Sequence, residues 1–257
     1  MPARLIHTMP RNDPPGSSTL RDSEGPVLSV NQLGVRIADR QILRDVTFSL
    51  PRKASLAIIG PNGSGKTVLL NALLGLQAST GSVRWSAGTK LGYVPQKVSA
   101  DARLPLRVDE LLAAKARIQR LSERDVKAAV EWAGLESLLD QKLGTLSSGQ
   151  LQKVLIAFAL AGAPDVLLVD EPTSSLDELA EEHIFELLNR TRRERGMTII
   201  LVSHDLTLVR DTATHVLCLG GGTASFGTAA EMLVPEILER VYRQPVEFHA
   251  HHLERET

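Results

Sequence analysis

The sequence predicts an α/β fold built around a buried parallel β-sheet. Three short runs, "SLAIIG", "DVLLVDEP" and "TIILVSHD", have the continuous apolar character of strands that are buried on both faces. Segments of helical periodicity lie between these runs, among them "TVLLNALLGL" and "DELAEEHIFELLNRTRRER". Strands that alternate with helices form parallel sheets through right-handed crossovers, and this alternation predicts the fold class.

Further segments add to this core. "VLSVNQLGVRI" and "ILRDVTFSL" are β-branched runs with polar breaks, which predict two antiparallel strands. "SVRW" and "KLGYVPQ" bracket a short turn and predict a hairpin, and "THVLCLGGGTASFG" predicts edge strands. Residues from about 98 to 150 are helical by period, with a capping box at Ser122 and Asp125. They predict a helical subdomain that is inserted into the α/β core.

The chain length of 257 residues suits one domain with an inserted lobe. Residues 1–26 hold five of the thirteen prolines and predict a disordered N-terminal extension. We expect the domain to occupy residues 27–240 and a histidine-containing C-terminal tail to occupy residues 241–257.

Composition excludes several classes of function. The net charge of −1 gives no general attraction to nucleic acid or to anionic lipid, so we expect no nucleic-acid partner. The single cysteine, Cys218, cannot form an internal disulfide and is typical of a reducing compartment. No run approaches the roughly 18 consecutive apolar residues of a membrane span. Contact with a membrane is therefore expected through a partner.

The segment "GPNGSGKT" fits the phosphate-binding pattern G-x-x-x-x-G-K-[ST] between a buried strand and a helix. Its glycines let backbone N–H groups surround a phosphate chain, and Lys66 reaches the β- and γ-phosphates. The Thr67 hydroxyl is a ligand for Mg²⁺. The predicted nucleotide-binding residues here are Gly60, Pro61, Asn62, Gly63, Ser64, Gly65, Lys66, Thr67 and Val68.

Acidic residues supply the second half of a nucleotide site. Asp170 ends a hydrophobic strand, where it can hold Mg²⁺, and Glu171 follows directly as a carboxylate that can polarise an attacking water. His204 follows another buried strand, where an imidazole can donate to a γ-phosphate. Gln96 closes "LGYVPQ" and Asp177 ends "TSSLD".

The order of the motifs "GPNGSGKT", "YVPQ", "LSSGQ", "LLVDEP", "SSLD" and "SHD" resembles the nucleotide-binding subunits of ATP-binding-cassette (ABC) transporters over about residues 27–240. The resemblance implies a P-loop NTPase with an antiparallel β subdomain, ATP and Mg²⁺ as cofactors, and Gln96 near Mg²⁺ and the membrane partner. It implies that Asp177 lies at a dimer interface and that His204 contacts the γ-phosphate. The implied signature residues, which close over ATP bound by a second, head-to-tail copy, are Ser147, Ser148, Gly149 and Gln150.

The chain departs from the family pattern at three places. Ile37 stands where an aromatic residue usually stacks on adenine. Lys53 and Ala54 replace the usual Gly-Glu, and Ser148 replaces the commoner second glycine of the signature. None of these departures removes a predicted catalytic group.

The segment "LGYVPQKVSADARLPLRVDELL" resembles the ATPase subunits of bacterial divalent-metal importers, zinc importers above all, with Asp101, Leu104 and Pro105 in the shared pattern. This resemblance implies a polytopic permease, an extracytoplasmic metal-binding protein and a place on the cytoplasmic face of the membrane. His249, His251 and His252 form a possible zinc site in the tail or a solvated end. Manganese or iron, an unrelated cargo such as a lipid or amino acid, and a non-transport ABC protein acting on ribosomes or DNA are the alternatives.

Overall fold

A computed structural model describes residues 25–96, 105–173 and 176–242, and these residues form two β-sheets and eight α-helices. The strands are β1 (Leu28–Ile37), β2 (Arg40–Leu50), β3 (Ser55–Ile59), β4 (Thr80–Trp85), β5 (Leu91–Val94), β6 (Val166–Asp170), β7 (Thr198–Val202), β8 (His215–Gly220) and β9 (Thr223–Thr228). The helices are α1 (Lys66–Leu73), α2 (Val108–Gln119), α3 (Glu123–Ala133), α4 (Ser148–Leu160), α5 (Glu178–Arg195), α6 (Leu206–Thr212), α7 (Ala229–Met232) and α8 (Pro235–Tyr242).

The larger sheet has the strand order β5-β6-β7-β3-β8-β9. All its neighbouring strands are parallel except β8 and β9, which form an antiparallel pair. Every residue of β3, β6 and β7 is buried, as expected for strands covered on both faces. The predicted parallel core is confirmed.

The smaller sheet is antiparallel, with the order β2-β1-β4, and it confirms the predicted pairing of β1 with β2. The predicted hairpin of β4 with β5 is wrong, because β4 pairs with β1 and β5 pairs with β6 in the other sheet. The packing of the two strands differs as well, although Tyr93 of β5 reaches the same apolar cluster as β4. Val94 of β5 packs with α4 and β6, whereas Val83 and Trp85 of β4 pack beneath the smaller sheet.

The helices α2, α3 and α4 form a lobe that packs on α5, β6 and β7 through one continuous apolar cluster. Ser122 caps α3 in a reciprocal capping box with Asp125, as the sequence predicts. Trp132 joins the lobe to α5, because its indole N–H donates to the Thr191 hydroxyl at 2.8 Å. The lobe is therefore fastened to the core by polar as well as apolar contacts.

The last described helix, α8, packs beside β3 and β8 on the same face of the larger sheet as the lobe, whereas α1 and the smaller sheet cover the other face. It includes Val241 and Tyr242, which fall within the range 241–257 that the sequence assigns to a tail. Residues 1–24 of the predicted extension 1–26 lie outside the described residues, as do the tail histidines His249, His251 and His252 and the residues Asp101 and Leu104.

The carboxyl ends of β3, β5, β6 and β7 meet at one edge of the larger sheet, because these four strands are parallel. Ligands of open α/β sheets bind at this edge. The chain brings its predicted polar motifs to this edge in the loops that follow the four strands. Among the described residues, no helix is long and apolar enough to cross a membrane.

Candidate nucleotide site

The glycine-rich loop between β3 and α1, residues 60–65, has a backbone that only glycine tolerates at its ends. Gly60 has φ +146°, and a Cβ on it would lie 2.1 Å from the Leu219 carbonyl oxygen. Gly65 has φ +101°, and its Cβ would lie 2.9 Å from the Leu43 side chain. Gly65 caps α1 without a side-chain hydrogen bond, so the first N–H groups of this helix have no side-chain cap. Such an N-terminus attracts anions.

Lys66, the first residue of α1 after this loop, is a buried cation whose side chain is only 6% exposed. Its ammonium donates hydrogen bonds to the carbonyl oxygens of Gly60 at 3.0 Å and Pro61 at 3.3 Å. The Lys66 Nζ atom is also 3.8 Å from Glu171 Oε1. The predicted phosphate-binding lysine and the predicted base therefore lie side by side.

Asp170 ends β6 and is only 1% exposed. The Thr67 hydroxyl donates to its Oδ1 atom at 3.3 Å, while its buried Oδ2 atom has no hydrogen-bond partner among the described residues. Burial raises the pKa of the Asp170 carboxyl, an effect that the Thr67 hydrogen bond partly offsets. A hydroxyl and a carboxylate with a free buried oxygen are the hard donors that Mg²⁺ prefers.

Glu171 follows β6 in the left-handed region of backbone space, at φ 41°. A residue with a Cβ is uncommon there, and such strain concentrates at functional sites. The Gln96 amide donates to Glu171 Oε2 at 2.6 Å, which joins the loop after β5 to the loop after β6. Sequence reasoning predicts both residues but not the backbone conformation that turns the carboxylate toward Gln96 and Lys66.

His204 lies at the same edge of the sheet. It follows β7, which is hydrogen-bonded between β3 and β6, and its side chain is exposed. Asp205, the next residue, caps α6 by accepting from the Leu208 N–H at 3.0 Å. The predicted histidine therefore follows the strand next to β6, at the same edge of the sheet as the two carboxylates.

The predicted signature residues gather in a second cluster at the start of α4. Ser147 caps this helix in a reciprocal capping box with Gln150, and Ser148 is the first helical residue. Both serines are exposed. Asp177 caps the neighbouring helix α5 by accepting from the Ala180 N–H at 2.8 Å. A Cβ on Gly149 would lie 3.1 Å from the Ala180 Cβ atom, so the two helix starts are close neighbours.

A cleft of about 480 Å³ opens beside the glycine-rich loop. Its walls are the start of β2, the loop itself, the turn between β8 and β9, and the end of α8. The lining residues are Arg40, Gln41, Ile42, Pro61, Asn62, Gly63, Ser64, Gly221, Gly222, Val241 and Tyr242. Ile37 is not among them, and its side chain is 44% exposed. Sequence reasoning missed the α8 wall, because nothing in "RVYRQP" resembles a nucleotide motif.

Comparisons with known proteins agree with this geometry. A family model described as "ABC transporter" matches residues 43–174, about half of the chain. The zinc import ATP-binding protein ZnuC of Jannaschia sp. is 38% identical over 205 residues, which cover 79% of this chain and 83% of that protein. The chain belongs to the ABC transporter family.

Further members of the family extend this result. The zinc import ATP-binding protein ZnuC of Cereibacter sphaeroides is 39% identical over 203 residues, which cover 79% of this ABC chain and 82% of that protein. The solved structure of cbiO1 from Clostridium perfringens, part of the ABC transporter complex cbiONQ, has a TM-score of 0.73 at 27% identity. It covers 84% of this chain and 94% of that one.

These matches confirm the predicted family and fold class. The chain is an ABC-type ATP-binding protein and an ATP hydrolase. Its fold is the α/β cassette with an antiparallel sheet and a parallel sheet. The roles of its individual residues are argued below from their geometry.

Proposed function

We propose that this chain is the ATP-hydrolysing subunit of an importer that carries a divalent metal, zinc, through a separate membrane permease. The array that joins Gln96, Glu171 and Lys66 across three loops supports ATP hydrolysis. The identity to zinc import ATP-binding proteins, which this chain covers to more than four fifths of their length, supports the cargo.

The glycine-rich loop binds the phosphate chain of ATP. Backbone N–H groups at the start of α1, among them that of Val68, and the Lys66 ammonium supply the positive potential. Thr67, Asp170 and Gln96 hold Mg²⁺, for which the unpartnered Oδ2 atom of Asp170 is the best-suited ligand. When bound, Mg²⁺ neutralises charge on the β- and γ-phosphates.

Glu171 acts as the general base that takes a proton from the attacking water. Gln96 holds the carboxylate through its 2.6 Å hydrogen bond, and the Lys66 ammonium lies 3.8 Å from its other oxygen. His204 donates a hydrogen bond to the γ-phosphate, where negative charge changes during hydrolysis. Hydrolysis then breaks the bond between the γ-phosphate and the leaving ADP.

A second copy of the chain completes each site. Ser147, Ser148, Gly149 and Gln150 form the N-terminus of α4 in the helical lobe, whereas the glycine-rich loop joins β3 to α1. In a two-fold, head-to-tail dimer, the signature of one copy closes over the ATP of the other, with Asp177 at the interface. The two capped helix starts, α4 and α5, supply the rigid surface for this contact.

The membrane partner is a polytopic permease, and the subunit works on the cytoplasmic face of the membrane. Gln96 links the nucleotide site to that partner, because the next described element along the chain is α2, the first helix of the lobe. An extracytoplasmic metal-binding protein supplies the cargo indirectly. The histidines of the tail, His249, His251 and His252, remain a predicted zinc site.

Metal uptake in cells that lack this chain tests the cargo. We expect cells without the gene to take up less zinc-65 than the parent, and plasmid-borne wild type to restore uptake while the Glu171→Gln variant does not. Manganese and iron uptake measured in the same cells is the control. Unchanged zinc uptake with reduced manganese or iron uptake would instead assign the alternative cargo, and no change in any metal contradicts a metal importer.

Replacing Asp170 with asparagine should stabilise the protein in the absence of nucleotide and abolish its response to Mg²⁺. Burial raises the pKa of this carboxyl above its ordinary 3.8, so the fold loses stability as the pH rises from 3.8 to the raised value, and the loss is constant above it. The gain from asparagine is therefore complete above the raised pKa and vanishes as the pH falls below 3.8. Each kcal/mol gained in the free energy of unfolding raises the melting temperature by about 2–4 °C for a chain of this size.

Thermal melts with and without Mg²⁺·ATP measure both effects. Asp39→Asn, the same change at an exposed position, is the matched control and should leave both melting temperatures unchanged. A variant at position 170 that melts lower than wild type at neutral pH contradicts the expected relief. A preserved Mg²⁺-dependent shift contradicts the role of Asp170 as a ligand.

A further inference from the structure

The last described helix, α8, reaches the glycine-rich loop from the side opposite α1. The backbone N–H of Gly60 donates to the Tyr242 hydroxyl at 3.1 Å. A Cβ on Gly220 at the end of β8 would lie 3.2 Å from the Val241 carbonyl oxygen, so the helix end packs directly on the sheet. A residue 182 positions downstream thus contacts the first residue of the phosphate-binding loop.

Gly60 is held from both sides of its backbone. Tyr242 accepts from its N–H, and the Lys66 ammonium donates to its carbonyl oxygen at 3.0 Å. Gly60 also has an unusual φ of +146°, at the point where the chain leaves β3. Glycine reaches this φ freely, so the contacts around Gly60 set the orientation of its peptide groups. The hydrogen bond that Tyr242 accepts and the hydrogen bond that Lys66 donates therefore act on the same residue, Gly60.

The surroundings of Tyr242 suit a side chain that holds the Gly60 peptide in place. Its side chain is the single aromatic one among the described residues that line the cleft beside the loop. Burial raises the pKa of the phenol to about 12, so the hydroxyl stays neutral across the physiological range. A neutral hydroxyl keeps a lone pair for the Gly60 N–H without placing a negative charge beside a phosphate site.

We propose that Tyr242 is a positioning residue for the phosphate-binding loop and that it couples α8 to ATP binding. The hydroxyl fixes the Gly60 peptide, which fixes where Lys66 and the following N–H groups point. This inference rests on the proposed role of the loop in binding ATP. By linkage, ATP that orders the loop must also stabilise α8.

The test is the Tyr242→Phe variant of the full chain, which keeps the ring and removes only the hydroxyl. It leaves the buried Gly60 N–H without its partner. We expect ATP binding, measured by titration with a fluorescent ATP analogue, to weaken about tenfold. The KM for ATP should rise by a similar factor while kcat changes less than about twofold, because Glu171 and Gln96 are untouched.

Ile237→Ala is the matched control. Ile237 packs in the same helix against the same apolar cluster but does not line the cleft. It lowers the stability of α8 without removing the hydrogen bond to Gly60. We expect its ATP affinity to match that of wild type in conditions where both proteins are folded.

Hydrogen exchange separates positioning from a general loss of structure. In wild type, ATP should slow the exchange of amides in residues 235–242 as well as in the glycine-rich loop, and in Tyr242→Phe the effect on 235–242 should disappear. Equal ATP affinity and equal protection of α8 in wild type and Tyr242→Phe would overturn the inference. If wild type itself binds no ATP, the proposed function fails instead, which is a distinct outcome.

Discussion

Replacing Glu171 with glutamine is expected to lower steady-state ATP hydrolysis by about 100- to 10,000-fold, the usual contribution of a general base. The change keeps the size of the side chain and an oxygen that can still accept from the Gln96 amide, which donates at 2.6 Å in the wild type. It removes the carboxylate that takes the proton from water. ATP binding should persist, because the glycine-rich loop and Lys66 are unchanged.

Phosphate release measures the loss of turnover, and size-exclusion chromatography with Mg²⁺·ATP measures the trapped state. We expect Glu171→Gln to elute as an ATP-dependent dimer, since ATP that is bound but not hydrolysed keeps the two copies closed. Glu182→Gln makes the same substitution at an exposed position of α5 and should behave as wild type. Turnover at the wild-type rate in Glu171→Gln would show that another group is the base.

The residues of the candidate site can be named from the sequence because the motifs that carry them are local. The loop of residues 60–65 leads directly into Lys66 and Thr67 at the start of α1. The chemistry of this segment follows from residue types at fixed spacing. Asp170 and Glu171 are adjacent, and the buried strand before them predicts which sheet edge they occupy. The capping box at Ser122 is local as well, so its pattern predicts where α3 begins.

Long-range pairing is where sequence reasoning fails. The short turn between β4 and β5 suits a hairpin, yet the two strands join different sheets, because partners far along the chain outcompete the local one. The hydrogen bond between Tyr242 and Gly60 spans 182 positions, and no local pattern predicts it. The strained φ of Glu171 is likewise set by the sheet around it, since Glu171 N–H donates to the Val202 carbonyl oxygen of β7 at 3.2 Å.

The adenine side of the site shows a further limit of motif reading. Ile37 occupies the position where the family pattern has an aromatic residue, but the cleft beside the loop is lined by Arg40 and Ile42 from the start of β2. Tyr242 brings an aromatic ring to the same cleft. The motif shows only that position 37 lacks the aromatic residue of the family pattern. The packing of α8 shows which aromatic side chain lines the cleft instead.

A mixture of two inactive variants is expected to regain ATP hydrolysis. Lys66→Ala removes the cation that faces the phosphates, and Ser147→Arg places a bulky cation at the exposed start of α4. Each variant alone is expected to hydrolyse ATP at less than about a hundredth of the wild-type rate. In a two-fold dimer, a mixed pair combines both defects in one site and leaves the other site with an intact loop and an intact signature.

Random exchange of subunits makes half of the dimers mixed, so about a quarter of all sites are complete and turnover should approach that fraction of wild type. Ser122→Arg is the matched control for Ser147→Arg. Both serines cap a helix of the same lobe through a reciprocal capping box, at 3.2 Å to the N–H three residues on. Each loses about 1 kcal/mol with its cap, so a general loss of stability affects both variants equally.

Only Ser147 belongs to the predicted signature, so Ser122→Arg should remain active alone. Phosphate release from the mixture is then compared with the average of its two components at the same total concentration. A site contained within one chain predicts no gain on mixing, because every chain carries a defect. A gain toward one quarter requires that the start of α4 from one copy acts on the ATP bound by the other, since no single chain in the mixture holds both intact halves.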